Sequence, residues 1–78
     1  NSGLNDYAIA VYEKGIQYFP SYYEFHLALF ELYMPHHMQL AKTHLNKAAE
    51  LLTTLETNLP EQQELLQAIN LEKNKNGW

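Results

Sequence analysis

The sequence predicts an all-α domain of about four helices, stacked as antiparallel hairpins. Three observations lead there. Apolar residues recur at three- and four-residue steps through most of the chain, the period of a helix face. Prolines, asparagines and serines punctuate that pattern into four segments. Two of those segments share one pattern of small and large residues at an offset of 33 positions.

The first helix is expected from about Asn5 to Phe19, with Asn5 or Asp6 capping its N–H groups. Ala8, Val11, Tyr12, Gly15 and Phe19 share one side. Gly15 lies in the interior, where glycine costs about 1 kcal/mol relative to alanine. Pro20 ends the helix, because the residue before a proline is pushed out of the helical region.

Ser21-Tyr22-Tyr23-Glu24 reads as a capping box opening a second helix that runs to about Tyr33. That helix is apolar almost all round, which predicts burial on more than one side. Pro35 is expected at the first position of a third helix, where its missing N–H costs nothing. The third helix spans about His36 to Thr57, with Met38, Ala41, Leu45, Ala48, Leu52 and Leu55 as its apolar stripe. Asn58-Leu59-Pro60-Glu61 opens a fourth, from about Pro60 to Lys73. It carries Leu65, Ala68 and Ile69 on one side, with Leu66 beside them. The tail KNKNGW is expected to fray.

The internal repeat sets Ala8, Tyr12, Lys14 and Gly15 over Ala41, Leu45, Lys47 and Ala48. A period of this size signals stacked helical hairpins. On these residues the chain resembles the tetratricopeptide repeat family. Ala8, Tyr12, Gly15 and Pro20 match the family's second-helix signature of small, aromatic, small, then proline. Leu29 and Tyr33 fall at apolar first-helix positions, and Ala41, Leu45 and Ala48 give the second helix again. The chain departs from the family where its tryptophan would stand, at Phe25 or His26 by register, and lacks the second closing proline.

The resemblance implies a right-handed superhelix of stacked hairpins. It divides the chain into a half repeat over 5–20, a full repeat over 21–57 and a C-terminal capping helix over 58–74. An unrelated α-hairpin bundle is the competing fold. Repeat arrays usually need about three units. So the chain is expected to be the C-terminal part of a larger protein, or to pair with a second copy through the open flank of its first helix.

Composition excludes several functions. The net charge is −4, and all five basic residues are lysines. Arginine is the preferred fork for phosphates and base edges. An acidic, arginine-free chain argues against nucleic acid and against an anionic membrane surface. No stretch approaches the ~20 apolar residues of a membrane span, and the polar start NSGLND is not that of a signal peptide. There is no cysteine, which removes disulfides and leaves the compartment open.

No catalytic, cofactor or metal residues are assigned. His36, His37 and His44 offer no HExxH or cysteine pair for zinc, and solvent-facing histidines around a helix start are the expectation. Ser2 and Ser21 are the only serines, and no nucleophile-elbow motif surrounds them. Glu24 and Glu31 lie about 10 Å apart on one helix face, expected to be exposed rather than in a pocket where paired carboxylates could do acid–base work. Six tyrosines and three phenylalanines crowd positions 7 to 33, mostly as expected core, with Tyr18, Tyr22 and Tyr23 near the first bend.

The family resemblance implies a concave face lined by first helices that binds peptides or helices. Here it offers Glu24, Leu27, Glu31 and Met34, an acidic and apolar surface suited to a basic or apolar protein segment. The leading expectation is a non-catalytic protein–protein interaction module. The alternative is a structural C-terminal appendage of a bacterial enzyme such as a hydrolase, packing on or positioning its catalytic domain.

Overall fold

A computed structural model describes residues 2–55 and 59–78 of the chain. Four helices follow one another: α1 (Ser2–Tyr18), α2 (Tyr23–Tyr33), α3 (Met38–Thr53) and α4 (Pro60–Lys75). No strand occurs among the described residues. Each helix packs only on its neighbours in the chain, α1 on α2, α2 on α3 and α3 on α4. The result is a slab of 37 × 30 × 17 Å with a radius of gyration of 12.7 Å. A fully compact domain of this length would be nearer to about 11.5 Å. The all-α expectation therefore holds, and sequential packing accounts for the flattened shape.

The core is small and lies around α3. Leu29, Ala41, Leu45, Ala48, Leu52 and Ile69 are buried. α3 sits between α2 and α4, so its small and large apolar positions are covered from both sides. The expected α3 stripe holds at its centre and fails at its ends, because Met38 and Leu55 are exposed. The aromatic residues are less buried than expected. Tyr7, Tyr18, Phe19 and Tyr22 are exposed, because α1 has a helix on one side only.

Helix boundaries differ from expectation for identifiable reasons. α1 starts at Ser2, so Asn5 and Asp6 lie inside the helix and cap nothing. Phe19, Pro20, Ser21 and Tyr22 form a turn in which the Tyr22 N–H donates to the Phe19 carbonyl at 3.1 Å. Proline suits the second position of such a turn. Ser21 is thereby held in the turn, Tyr22 becomes the N-cap, and no side chain caps α2.

Pro35 lies in the turn before α3 rather than at its first position, and His37 is the N-cap. α3 stops at Thr53, short of the expected Thr57. The hydroxyls of Thr53 and Thr54 donate back to the carbonyls of Glu50 and Leu51 at 2.7 and 2.8 Å. They satisfy acceptors that further helix would otherwise use. Thr57 and the expected cap Asn58 lie outside the described residues. At α4, the Leu59 N–H donates to the Gln62 side chain at 3.3 Å, so the reach-back to the N-cap comes from Gln62 and not Glu61.

The tail expected to fray is instead an ordered stop. Gly77 has φ +75°, the Trp78 N–H reaches the Lys73 carbonyl at 2.7 Å and the Gly77 N–H reaches that of Asn74 at 3.2 Å. This is a Schellman termination, in which glycine takes the left-handed position at no Cβ cost. It turns Trp78 back onto the core, edge-on to Phe30 with ring centroids 6.1 Å apart.

Candidate functional site

A groove of about 170 Å³ opens where α2, α3 and α4 converge. α2 contributes Leu27, Phe30 and Glu31, four and three residues apart and so on one face. Leu45 of α3 forms part of the floor, and Leu65, Ala68, Ile69 and Glu72 of α4 form the other wall. The floor is apolar because these positions also make the core. Two carboxylates stand over it from opposite helices. The Glu72 carboxylate is oriented by Asn76, whose Nδ2 donates to Oε2 at 2.9 Å and to the Glu72 backbone carbonyl at 2.8 Å.

The sequence-predicted face divides here. Leu27 and Glu31 line the groove. Glu24 stands exposed in the first turn of α2, and Met34 is the half-buried C-cap of the same helix. Neither is among the residues lining this groove. The α4 wall lies outside the sequence-predicted face, which the resemblance drew along first helices alone. Leu65 and Ile69, noted only as that helix's packing side, were the available signal.

The repeat positions are placed unequally. Leu29, Ala41, Leu45 and Ala48 are buried, and Tyr33 is half-buried. Their counterparts Ala8, Tyr12 and Gly15 are only half-buried, and Pro20 is exposed in its turn. Gly15 does admit a close neighbour. A Cβ there would lie 2.9 Å from the ring of Phe25 on α2.

A second polar cluster joins the first three helices. His26 of α2 is buried, and its Nδ1 lies 3.0 Å from Nδ1 of His44 on α3. The Glu13 carboxylate of α1 lies 3.4 Å from Nε2 of His44. That carboxylate favours a proton on His44 Nε2, which leaves His44 Nδ1 to accept and His26 Nδ1 to donate. His26 Nε2 then carries a buried lone pair without a hydrogen-bond partner. Tyr33 stacks on His44, with centroids 5.6 Å apart and planes 13° from parallel.

Burial pushes the His26 pKa below the ordinary histidine value, and nearby His44 and Lys47 lower it further. The Pro20 carbonyl opposes this. Burial also lowers His44, against the opposing pull of Glu13. The expectation of solvent-facing histidines holds for His36 and His37 and fails for His44. The His26–His44 contact has no sequence signal, because the partners sit 18 residues apart on different helices. Among the described residues, no three metal-ligating side chains converge, and no helix is long and apolar enough to cross a membrane.

No family model, curated protein or solved structure matches this chain.

Proposed function

We propose that this chain is a non-catalytic protein-interaction module of the helical-repeat type, with hairpins stacked in the tetratricopeptide manner. The groove between α2 and α4 receives an apolar side chain of a partner segment, and Glu31 and Glu72 meet an adjacent lysine or arginine. The observation that carries this reading is the apolar floor flanked by carboxylates from two different helices. Packing of each helix on its chain neighbours alone supports the repeat reading. Opposite charges at a groove rim select partners and raise on-rates more than they add affinity.

A peptide array that varies one apolar and one charged position tests it. Peptides pairing leucine or phenylalanine with a nearby lysine or arginine are expected to bind. Their acidic counterparts are expected not to, and Glu31→Gln with Glu72→Gln should erase the difference. Binding that ignores peptide charge, or no binding at all by the folded chain, refutes the reading.

The half-covered α1 favours a second reading, that of a structural appendage positioning an enzyme domain. Reading the gene upstream of Asn1 separates the two. A catalytic domain encoded there supports the appendage, and its absence removes it.

A further inference from the structure

We propose that His26 and His44 form an acid-sensitive latch on α1: the docked pair accepts three ring protons and excludes the fourth, so acid releases α1 while the core of α2, α3 and α4 stays folded. The pair has four ring nitrogens. His44 Nε2 carries a proton toward Glu13, 3.4 Å away. The two Nδ1 atoms lie 3.0 Å apart and share one proton between them. His26 Nε2 is buried with no hydrogen-bond partner among the described residues, so a third proton goes there. The Pro20 carbonyl favours the charged His26 ring, and the Glu13 carboxylate balances the single positive charge that results.

A fourth proton has only the contact between the rings to occupy. Two N–H groups facing each other across 3.0 Å would bring their hydrogens within about 1 Å, so the contact must open. The surrounding charges do not relieve it. α1 supplies one carboxylate, Glu13, already engaged with His44. α3 supplies Lys47, which works against a charged His26, and Glu50, which lies 3.5 Å from Lys47. From α2, Tyr33 stacks on His44 and stays neutral in acid.

His44 is the ring that yields, because it lies nearer solvent than His26. Its departure breaks the Glu13 tie between α1 and α3. α1 is otherwise packed on α2 alone, and none of its described side chains is fully buried. The core cluster of Leu45, Ala48, Leu52 and Ile69 takes its surroundings from α2, α3, α4 and Trp78. Local opening starts at such a weakly covered element. A lone helix of 17 residues is marginal in water, so α1 loses its helix when it undocks.

Released histidines titrate near about 6.5. Below that value, each pH unit favours the undocked form about tenfold for every proton that docking excludes. Two units give about a hundredfold for the fourth proton alone. None of Glu13, His26 and His44 lines the groove, so this inference stands apart from the peptide reading.

Circular dichroism and Trp78 fluorescence, followed together from about pH 7.5 to about pH 4.5, read the two parts separately. Trp78 packs on Phe30 in the core, and α1 holds about a quarter of the helical residues. The helical signal should fall reversibly by about that fraction before the tryptophan emission shifts. His44→Gln lets a charged His26 donate to the new amide oxygen, and should lower the step by at least about one pH unit or remove it. His26→Gln should do the same where the first variant does not fold. The order of the two wild-type transitions decides without either variant. A single transition in which both signals change together overturns the proposal. So does a helical signal that holds down to about pH 4.5, or a step that neither substitution moves.

Discussion

At Gly15 two effects oppose each other. Replacing it with alanine removes the interior-glycine penalty of about 1 kcal/mol. The added Cβ would also meet the Phe25 ring at 2.9 Å. That ring cannot move freely, because Tyr22 packs edge-on against it at 4.7 Å and Tyr12 lies at 5.9 Å. Overpacking of this kind costs about 1–3 kcal/mol and outweighs the propensity gain. Gly15→Ala is therefore expected to destabilise the chain by about 1 kcal/mol in urea unfolding. In a Phe25→Leu background the same change should become neutral or stabilising, and a double-mutant cycle reads the coupling directly. The sequence pattern marked Gly15 as a small-residue position of the repeat. It did not name Phe25, because that contact depends on how α1 and α2 cross.

At the scale of the elements, the Glu13–His44–His26 line ties α1, α3 and α2 together. Burial lowers both histidine pKa values in the folded chain, so the unfolded chain binds protons more readily. The stabilising contribution is then complete above about pH 6.5, the unfolded value, and is lost as pH falls through the lower folded values. Thermal unfolding should show a falling Tm from pH 7.5 to pH 5. The double variant His26→Leu with His44→Leu should show a shallower fall.

The end of α4 carries the other inter-element device. Trp78→Ala should expose Phe30 and lower Tm, and Gly77→Ala should cost about 1 kcal/mol through its positive φ. Intrinsic tryptophan fluorescence should shift red in Gly77→Ala as the ring leaves the core. The expected fraying passed over a signal that was present: Lys73, Lys75 and Gly77 follow the last apolar turn in the order that helix ends favour. The histidine line was not, since no local pattern pairs residues on separate helices.

For the whole molecule, periodicity and punctuation were enough to place four helices, and the repeat located the buried positions of α3. Leu45 and Ala48 are buried as their pattern implies, while Tyr12 and Gly15 are half-covered for want of a second neighbour. The lining of the groove was half legible. Leu27 and Glu31 came from the face that the family resemblance implies for α2, but the opposing wall exists only because the chain folds α4 back beside α3. Glu72 therefore entered the site through tertiary packing, which helix-by-helix reading does not reach. Methyl and amide NMR shifts during titration with a peptide carrying one leucine next to one lysine test the groove most directly. Saturable shifts centred on Leu27, Leu45, Leu65 and Ile69, weakened at least several-fold by Glu31→Gln with Glu72→Gln, are the expected result. Shifts confined to other surfaces, or none while the chain remains folded, would contradict it.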